Sequence, residues 1–511
     1  MRYFLIVFFL IYSSSVLSQV SDSPLDASSK ARQKAWVDST YSSLSLKEKI
    51  GQLYMVQVFS NQDEITLKSI LNQIKKHHIG GLIYSEGGPL RQVLLNNKLQ
   101  AASKVPLLIG MDAEWGLNMR LDSTYAFPWN MTLGAIKDLD LIRKTGKHIG
   151  EHCKRIGVHF NFAPVVDINT NPKNPIIGVR SFGEQKEVVS SHSLALMEGM
   201  QSSGVMANAK HFPGHGDTDS DSHKTLPTIS FSKERIDSLE LYPYKSLFSK
   251  GLSSVMVAHL NVPSLDDRSN HPSSLSYPIV TELLQKKLGF KGLIFTDALD
   301  MKGVSNFSSP GEVDLQAFLA GNDVMLMSVD VNQGINNLLK ALESGVISEK
   351  RLAYSVKKIL TAKYKVGLAN YKPIDSINLI ADLNRPKDDI LYQDLMENAI
   401  TLLQNKNELL PLKNLELRNI AYVNMGTADA SPFLKSLKKY TQVEQVSANT
   451  LDQLVSELNQ YNTVIVGLHS SNESPWKPYQ FSNKELIWLN EIARTNTVVL
   501  TAFTKPYALN D

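Results

Sequence analysis

The stretch that decides the fold is Val205–Pro227, VMANAKHFPGHGDTDSDSHKTLP, in which an apolar run leads into a polar loop. Residues 210–223 contain three His, three Asp, one Lys and two Gly, a composition that no packed core requires. Asp221 and His223 stand two residues apart, so the carboxylate can orient the imidazole, and an oriented imidazole can shuttle protons near neutral pH. The stretch therefore predicts a strand that ends in a catalytic loop.

Two other interpretations of this loop stay open on its composition alone. It could bind a metal ion, and the side chains with suitable ligand chemistry are those of His215, Asp217, Asp221 and His223. It could also be a polar loop that water solvates. Composition favours catalysis over either alternative without excluding them.

Strand-like runs alternate with amphipathic stretches on both sides of this segment. The eight candidate strands are Leu53–Val58, Ile79–Tyr84, Pro106–Met111, His159–Val166, Val205–Lys210, Ser254–His259, Gly292–Thr296 and Asp323–Met327. Helical patterns between them include Glu64–Lys76, Leu139–Ile156, Lys186–Ser202 and Ile279–Leu288. Eight strand–helix repeats predict an α/β fold, a parallel (β/α)8 TIM-like barrel, with a doubly wound sheet as the alternative.

Polar residues follow the candidate strands at the points where the strands end. They are Asp112, Glu114, Asp167, Lys210, His211, His259, Asp297 and Ser328. Active sites of (β/α)8 barrels are built on the face formed by the C-terminal ends of the strands. We therefore expect the functional site on that face.

The chain divides into four parts. We expect a signal peptide at 1–18, the barrel at 19–365, a linker at 366–389 and a smaller α/β sandwich at 390–511. In the sandwich, Asn419–Met425, Thr463–Leu468 and Thr497–Phe503 are predicted strands, and Glu397–Leu403, Leu451–Asn459 and Asn483–Ala493 are predicted helices. Because the sequence stops soon after an apparent strand, we expect this sandwich to be incomplete.

Composition narrows the compartment and the partners. Arg2 before the apolar run Phe4–Tyr12 predicts export to the periplasm or the outside of the cell, without stable membrane insertion once the signal is cleaved. The net charge is only +3, and no run of basic residues is interleaved with aromatic residues. We therefore expect no nucleic-acid partner.

The string KHFPGHGDT at 210–218, followed by Asp221-Ser222-His223 and Leu226-Pro227, resembles the signature of family 3 glycoside hydrolases of the β-N-acetylglucosaminidase type. The resemblance covers roughly residues 40–365. It implies a β-N-acetylhexosaminidase that hydrolyses terminal β-linked GlcNAc from peptidoglycan fragments or chitooligosaccharides with retention of configuration. It also implies no metal and no organic cofactor. Such chains sometimes continue into a serine-hydrolase domain.

The resemblance implies roles for three catalytic residues. Asp297, in the segment Ile294–Met301, matches the nucleophile that forms a covalent glycosyl-enzyme. His223 matches the acid/base, and Asp221 matches the carboxylate that fixes its tautomer. His215 is the rival for the acid role. A neutral imidazole after the first step would repel an anion less than a carboxylate would, so phosphate is conceivable as an acceptor beside water.

Four further positions match substrate-binding residues of the family. Asp112 would accept hydrogen bonds from sugar hydroxyls, and Arg180 would offer its planar fork of donors to hydroxyls or an N-acetyl carbonyl. Lys210 and His211 match the basic pair that grips ring hydroxyls. Asp167 is expected to be structural and to hold Arg180 or Lys210.

Three other functions remain as alternatives. A family 3 β-glucosidase or β-xylosidase would take a Glu acid/base from the second domain, which the Asp221-Ser222-His223 pattern disfavours. A non-catalytic cell-wall binding protein is disfavoured by the intact Asp221, His223 and Asp297. A metal-dependent hydrolase would use the His/Asp loop instead.

Overall fold

The computed structural model describes residues 23–220, 225–471, 474 and 479–510, and its larger part is a sheet of eight parallel strands. The strands are β1 Tyr54–Phe59, β2 Gly81–Glu86, β3 Leu108–Met111, β4 Phe160–Asn161, β5 Met206–Phe212, β6 Ser254–Val257, β7 Leu293–Thr296 and β8 Met325–Leu326. Each overlaps one of the eight predicted strands, which confirms the predicted α/β class.

The sheet closes on itself. Its strands neighbour one another in the order β7-β6-β5-β4-β3-β2-β1-β8, all in parallel. A parallel bridge joins Phe295 to Val324, and the Thr296 N–H donates to the Val324 carbonyl at 3.1 Å, which links the two ends of the sheet. This is the (β/α)8 barrel, and it excludes the doubly wound sheet, in which the strand order reverses at a switch point.

Helices surround the barrel. They are α1 Lys30–Ser42, α2 Leu46–Gly51, α3 Glu64–His77, α4 Pro89–Ala101, α5 Asn130–Gly134, α6 Leu139–Arg155, α7 Lys186–Ser202, α8 Lys233–Ser238, α9 Tyr242–Ser249, α10 Lys302–Ser305, α11 Glu312–Ala320, α12 Val331–Glu343 and α13 Glu349–Lys365, with a π-type helix at Pro278–Lys287. Helix α2 begins with a capping box, in which the Ser45 side chain accepts from the Glu48 N–H and the Glu48 carboxylate accepts from the Ser45 N–H.

Aromatic rings fill the inside of the barrel. Phe160 and Phe162 each pack edge-on against Phe295, with ring centroids 5.2 and 5.3 Å apart. Phe160 lies in β4 and Phe295 in β7, which are not neighbours in the sheet, so these rings meet across the interior. Gly110 in β3 makes room for them, because a Cβ at this position would lie 2.6 Å from the Phe162 ring. The interior is therefore a packed core that supports the mouth above it.

A smaller parallel sheet of four strands follows, in the order β10-β9-β11-β12. Its strands are β9 Ile420–Gly426, β10 Val443–Gln445, β11 Thr463–His469 and β12 Val498–Phe503, and its helices are α16 Ser431–Leu437, α17 Leu451–Leu458 and α18 Asn483–Thr495. The three predicted strands of this region and two of its predicted helices are confirmed, whereas β10 and α16 were not predicted.

Two helices lie between the sheets, α14 Leu379–Asp382 and α15 Pro386–Ala399. The predicted helix Glu397–Leu403 is wrong beyond Ala399, because Ile400 has extended backbone angles (φ −60°, ψ 123°). Its apolar residues suggested a buried helical face, but Leu402 and Leu403 are exposed.

The segment 366–389, expected to be a linker, contains α14 and the start of α15. The Asp388 side chain of α15 is fully buried, and its carboxylate contacts His148 Nδ1 at 2.7 Å and His152 Nε2 at 3.1 Å, both in α6. This end of the segment is thereby fixed to the barrel.

Among the described residues, no helix is both long and apolar enough to cross a bilayer.

Candidate active site

Charged side chains from different strands meet at the mouth of the barrel. Lys210, in β5, lies between two carboxylates that follow β3, since its Nζ is 2.7 Å from Asp112 Oδ1 and 2.9 Å from Glu114 Oε1. The Lys210 side chain is only 3% exposed, so both contacts are made away from bulk water. Buried charges of this kind persist only when they are paired.

Arg120 holds the second oxygen of Asp112, with Arg120 Nη2 2.7 Å from Asp112 Oδ2. Burial raises the pKa of the Asp112 carboxyl, but the charges of Lys210 and Arg120 outweigh burial and hold that pKa well below its usual range. Asp112 therefore stays anionic and can accept hydrogen bonds from a hydroxyl group.

Arg180 presents its guanidinium to Glu114. Arg180 Nη2 and Nε lie 2.7 and 2.9 Å from the two oxygens of Glu114, which is a bidentate pair. Burial raises the pKa of Glu114, but Arg180 and Lys210 outweigh burial and lower it to about 2. A 3₁₀ turn over Gly178–Arg180 carries the arginine, and Asn130 Nδ2 donates to the Arg180 carbonyl at 2.7 Å.

His211 is fixed by Asp167, which follows β4. Its Nδ1 lies 2.7 Å from Asp167 Oδ2, and its Nε2 faces Arg180 Nη2 at 3.5 Å. The expectation that Asp167 holds Arg180 or Lys210 is wrong. Its oxygens are occupied by His211 and by the backbone N–H of His215, at 2.8 Å.

His215 is buried, and its Nδ1 contacts Thr218 Oγ1 at 2.8 Å. Burial and the neighbouring His211 lower the pKa of His215 to about 4. An imidazole with that pKa is neutral at pH 7 and makes a poor proton donor there. The local chemistry therefore argues against His215 as the acid.

Asp297 comes directly after β7 and is half-buried at the mouth. Its Oδ1 accepts from the Ala298 N–H at 2.8 Å. Burial raises the pKa of its carboxyl, but the side chains of His259 and His211 and this backbone N–H outweigh burial and lower the pKa. The carboxylate is therefore ionised at neutral pH, as a nucleophile requires.

His259 is near this carboxylate and helps to lower its pKa. It is fully buried at the end of β6, with Nδ1 2.7 Å from Ser274 Oγ and Nε2 2.9 Å from the Ala298 carbonyl. Through Ala298 it contacts the segment that carries Asp297.

Asp221 and His223 lie outside the described residues, so their roles stay predictions. The described residues on the N-terminal side of this loop are anchored, since Asp219 accepts from Asn171 and Asp217 Oδ2 lies 3.1 Å from Arg235 Nη2. Among the described residues, no group of three or more His, Cys, Asp and Glu could hold a metal ion.

Two members of this charged cluster had no predicted role. Glu114 was noted as a polar residue at a strand end and as part of a D-x-E segment with Asp112, but it was given no role of its own, although it joins Arg180 to Lys210. Arg120 was not considered, because a lone arginine eight residues after Asp112 gives no sign of a contact between them. The D-x-E spacing was the available signal for Glu114, since alternate residues of an extended segment point the same way.

Known proteins share both the sequence and the fold. Residues 45–362 match the Glycosyl hydrolase family 3 N terminal domain. The chain belongs to glycosyl hydrolase family 3. This membership covers most of the barrel and agrees with the family that the 210–227 signature implied.

Several relatives extend the likeness beyond the barrel. Beta-hexosaminidase A of Pseudoalteromonas piscicida is 32% identical over 439 residues, which are 79% of this chain and 71% of that protein. A family 3 β-N-acetylglucosaminidase from Paenibacillus sp. str. FPU-7 is 30% identical, with a TM-score of 0.73 over 92% of each chain. The β-glucoside phosphorylase BglX, 23% identical, has the same fold with a TM-score of 0.78 over 94% of this chain and 89% of its own.

Proposed function

We propose that this family 3 glycoside hydrolase is a retaining exo-β-N-acetylglucosaminidase. The observation that carries the proposal is the position of the Asp297 carboxylate, directly after β7 at the same barrel mouth as the buried cluster of Asp112, Glu114, Arg180 and Lys210. The names of its relatives, a beta-hexosaminidase and a β-N-acetylglucosaminidase at 30% identity or above, support GlcNAc as the sugar.

In the first step, an Asp297 oxygen attacks the anomeric carbon while the bond to the leaving oxygen breaks. His223 gives its proton to that oxygen, and the product is a glycosyl-enzyme ester on Asp297. In the second step, neutral His223 takes a proton from water, the water oxygen attacks the anomeric carbon, and Asp297 leaves as a carboxylate. Two inversions give overall retention.

The acid in this scheme is His223 rather than His215. With a pKa lowered to about 4 by burial and by His211, the His215 imidazole is neutral at pH 7. Asp221, two residues before His223, would orient the ring and stabilise its charged form. Phosphate remains a conceivable acceptor beside water, because the base is uncharged in the second step.

The cluster at the mouth supplies groups suited to a sugar. Asp112 is an anionic acceptor for a hydroxyl, while Lys210, His211 and Arg180 lie within the same cluster as donors. Rigid, charge-paired groups favour binding because little reorganisation is needed when the substrate arrives.

We place the reaction outside the inner membrane, on peptidoglycan fragments or chitooligosaccharides. The support is the signal-like sequence at 1–18, which lies outside the described residues. Detection of a mature form that begins near Gln19 in the exported fraction would test this placement, and a full-length cytoplasmic protein would contradict it.

The test of the activity compares 4-nitrophenyl β-N-acetylglucosaminide with the matching β-glucoside, for the wild type, Asp297→Ala and His223→Ala. We expect selective GlcNAc release, lost in Asp297→Ala and strongly reduced in His223→Ala. Preference for the glucoside would overturn the proposed substrate. Full activity of His223→Ala would overturn the proposed acid. Proton NMR of the first-formed sugar should show the β-anomer, and the α-anomer would contradict retention.

A further inference from the structure

A buried asparagine after β4 connects several parts of the site. The Asn169 side chain is fully buried, and its Oδ1 accepts from the Gly178 N–H at 3.0 Å. Gly178 is the first residue of the 3₁₀ turn that carries Arg180. The Asn169 N–H also donates to the Gly183 carbonyl at 3.0 Å, so Asn169 holds both sides of this turn.

The second domain reaches this asparagine. Tyr507, in the turn that follows β12, accepts from Asn169 Nδ2 at 2.6 Å, and its hydroxyl donates to the Asn169 carbonyl at 3.4 Å. Burial raises the pKa of the Tyr507 phenol, so the hydroxyl keeps its proton. Nearby, Tyr479 donates to the Pro172 carbonyl at 3.3 Å.

The same segment of the barrel also holds the base of the loop that carries the predicted dyad. Asn171 Nδ2 donates to Asp219, two residues before Asp221. Asn174 Nδ2 donates to the His215 carbonyl at 2.8 Å. Residues 169–174 therefore contact the arginine turn on one side and the start of the catalytic loop on the other.

We infer that Tyr507 is a positioning residue for the reaction, and that it acts from the second domain by fixing Asn169. The inference rests on the proposed function for its catalytic consequence. Tyr507 orients the Asn169 amide, the amide orients the turn at Gly178, and the turn directs Arg180 toward Glu114 and His211. Tyr507 would thus set the geometry of the sugar-binding face from the second domain, through Asn169 and Arg180.

The test is Tyr507→Phe, which keeps the ring and removes the hydroxyl. The lost hydroxyl removes both hydrogen bonds to the buried Asn169, which predicts a decrease in kcat/KM of about two- to tenfold on 4-nitrophenyl β-N-acetylglucosaminide. We expect KM to carry most of the change, because Arg180 is proposed to bind the substrate. The matched control is Tyr461→Phe, which removes a hydroxyl that contacts Glu444 inside the second domain and should leave both constants unchanged.

Hydrogen–deuterium exchange of the full chain gives a second readout that does not depend on activity. Tyr507→Phe should increase exchange in the peptides that contain Asn169 and Gly178–Arg180, and Tyr461→Phe should not. If Tyr507→Phe disturbs the whole second domain, Asn169→Ser tests the same link from the barrel side and should increase exchange in the same turn.

The exchange and kinetic results together distinguish the positioning role of Tyr507 from the proposed function. Unchanged exchange in the turn overturns the positioning role, whatever the activity. Increased exchange with unchanged kcat/KM overturns its catalytic consequence. If exchange increases in Tyr507→Phe but the wild-type enzyme releases no GlcNAc, the contact between Tyr507 and the turn is supported. The proposed function is then overturned instead.

Discussion

Two lysines are buried among the residues that the structure describes, Lys210 and Lys363, and they lie at opposite ends of the barrel in opposite surroundings. Lys210 at the mouth lies between the carboxylates of Asp112 and Glu114. Lys363 at the other end contacts the amide oxygen of Gln52 at 2.6 Å, and burial lowers its pKa to about 7. Nearby His159 is half-buried, and burial and Lys363 lower its pKa to about 3.

The two lysines show that one end of the barrel is built for substrate binding and the other for stability. At the mouth, buried charges are kept and paired, which is costly for folding but gives preorganised groups for a polar substrate. Around Lys363 at the opposite end, burial favours the neutral forms of Lys363 and His159. Substitutions at the two ends should therefore affect different measurements.

The largest effect is expected for Lys210→Met. It removes the positive charge between the carboxylates of Asp112 and Glu114. We expect this to lower the free energy of unfolding by about 3–5 kcal/mol. Because Lys210 is also proposed to bind the sugar, kcat/KM should fall at least about a hundredfold. Steady-state kinetics on the aryl GlcNAc substrate measures this, and a decrease below threefold would contradict the assigned role of the network.

Lys363→Met should change stability and leave KM unchanged. The folded pKa of about 7 lies below that of the unfolded chain, near 10.4. Between these values the unfolded chain binds the extra proton, so wild-type stability rises with pH by about 1.4 kcal/mol per unit. Below about pH 7 both states are protonated and this dependence ends.

Removing the amine removes that dependence. The advantage of Lys363→Met over the wild type should be greatest near pH 7 and should shrink toward pH 10. Urea unfolding at three pH values measures it, with Lys350→Met, at an exposed position of the same helix, as the control. A difference that does not vary with pH would contradict a neutral buried amine.

Arg180→Lys tests whether the planar guanidinium of Arg180 contributes to substrate binding beyond its positive charge. A lysine cannot reproduce the bidentate contact with Glu114, so KM should rise about tenfold. Arg91→Lys is the control, because Arg91 pairs with Asp122 on the exposed surface. Equal KM values for the two variants would show that charge alone suffices.

The smallest effect is expected for Ser45→Ala, at the start of α2. Loss of the capping box should cost about 1 kcal/mol of unfolding free energy. Thermal unfolding should register the loss while kcat and KM stay at wild-type values. A changed KM would mean that the two ends of the barrel are coupled.

The barrel could be predicted from sequence because its strands are buried on both faces and therefore appear as apolar runs. The site residues at the strand ends could be predicted from the same apolar runs. Asp112, Lys210 and Asp297 each lie at or just beyond the end of a predicted strand. Local patterns of this kind need no knowledge of distant partners.

Contacts between distant segments could not be predicted in this way. Asp167 was assigned the wrong partners because its sequence position does not reveal which neighbouring strand end it faces. The contact of Asn169 with Tyr507 joins residues 338 positions apart. The helix at Glu397–Leu403 was extended too far because apolar spacing alone does not show whether a face becomes buried.

The most direct test of the central claim traps the intermediate in His223→Ala. The 4-nitrophenolate leaving group needs little help from an acid, whereas hydrolysis of the glycosyl-enzyme needs the base. Mass spectrometry of His223→Ala incubated with 4-nitrophenyl β-N-acetylglucosaminide should therefore find one GlcNAc residue on the peptide that contains Asp297. No adduct should form in the double variant with Asp297→Ala. An adduct on another residue would contradict the assignment of Asp297 as the nucleophile, and rapid turnover without any adduct would contradict the role of His223.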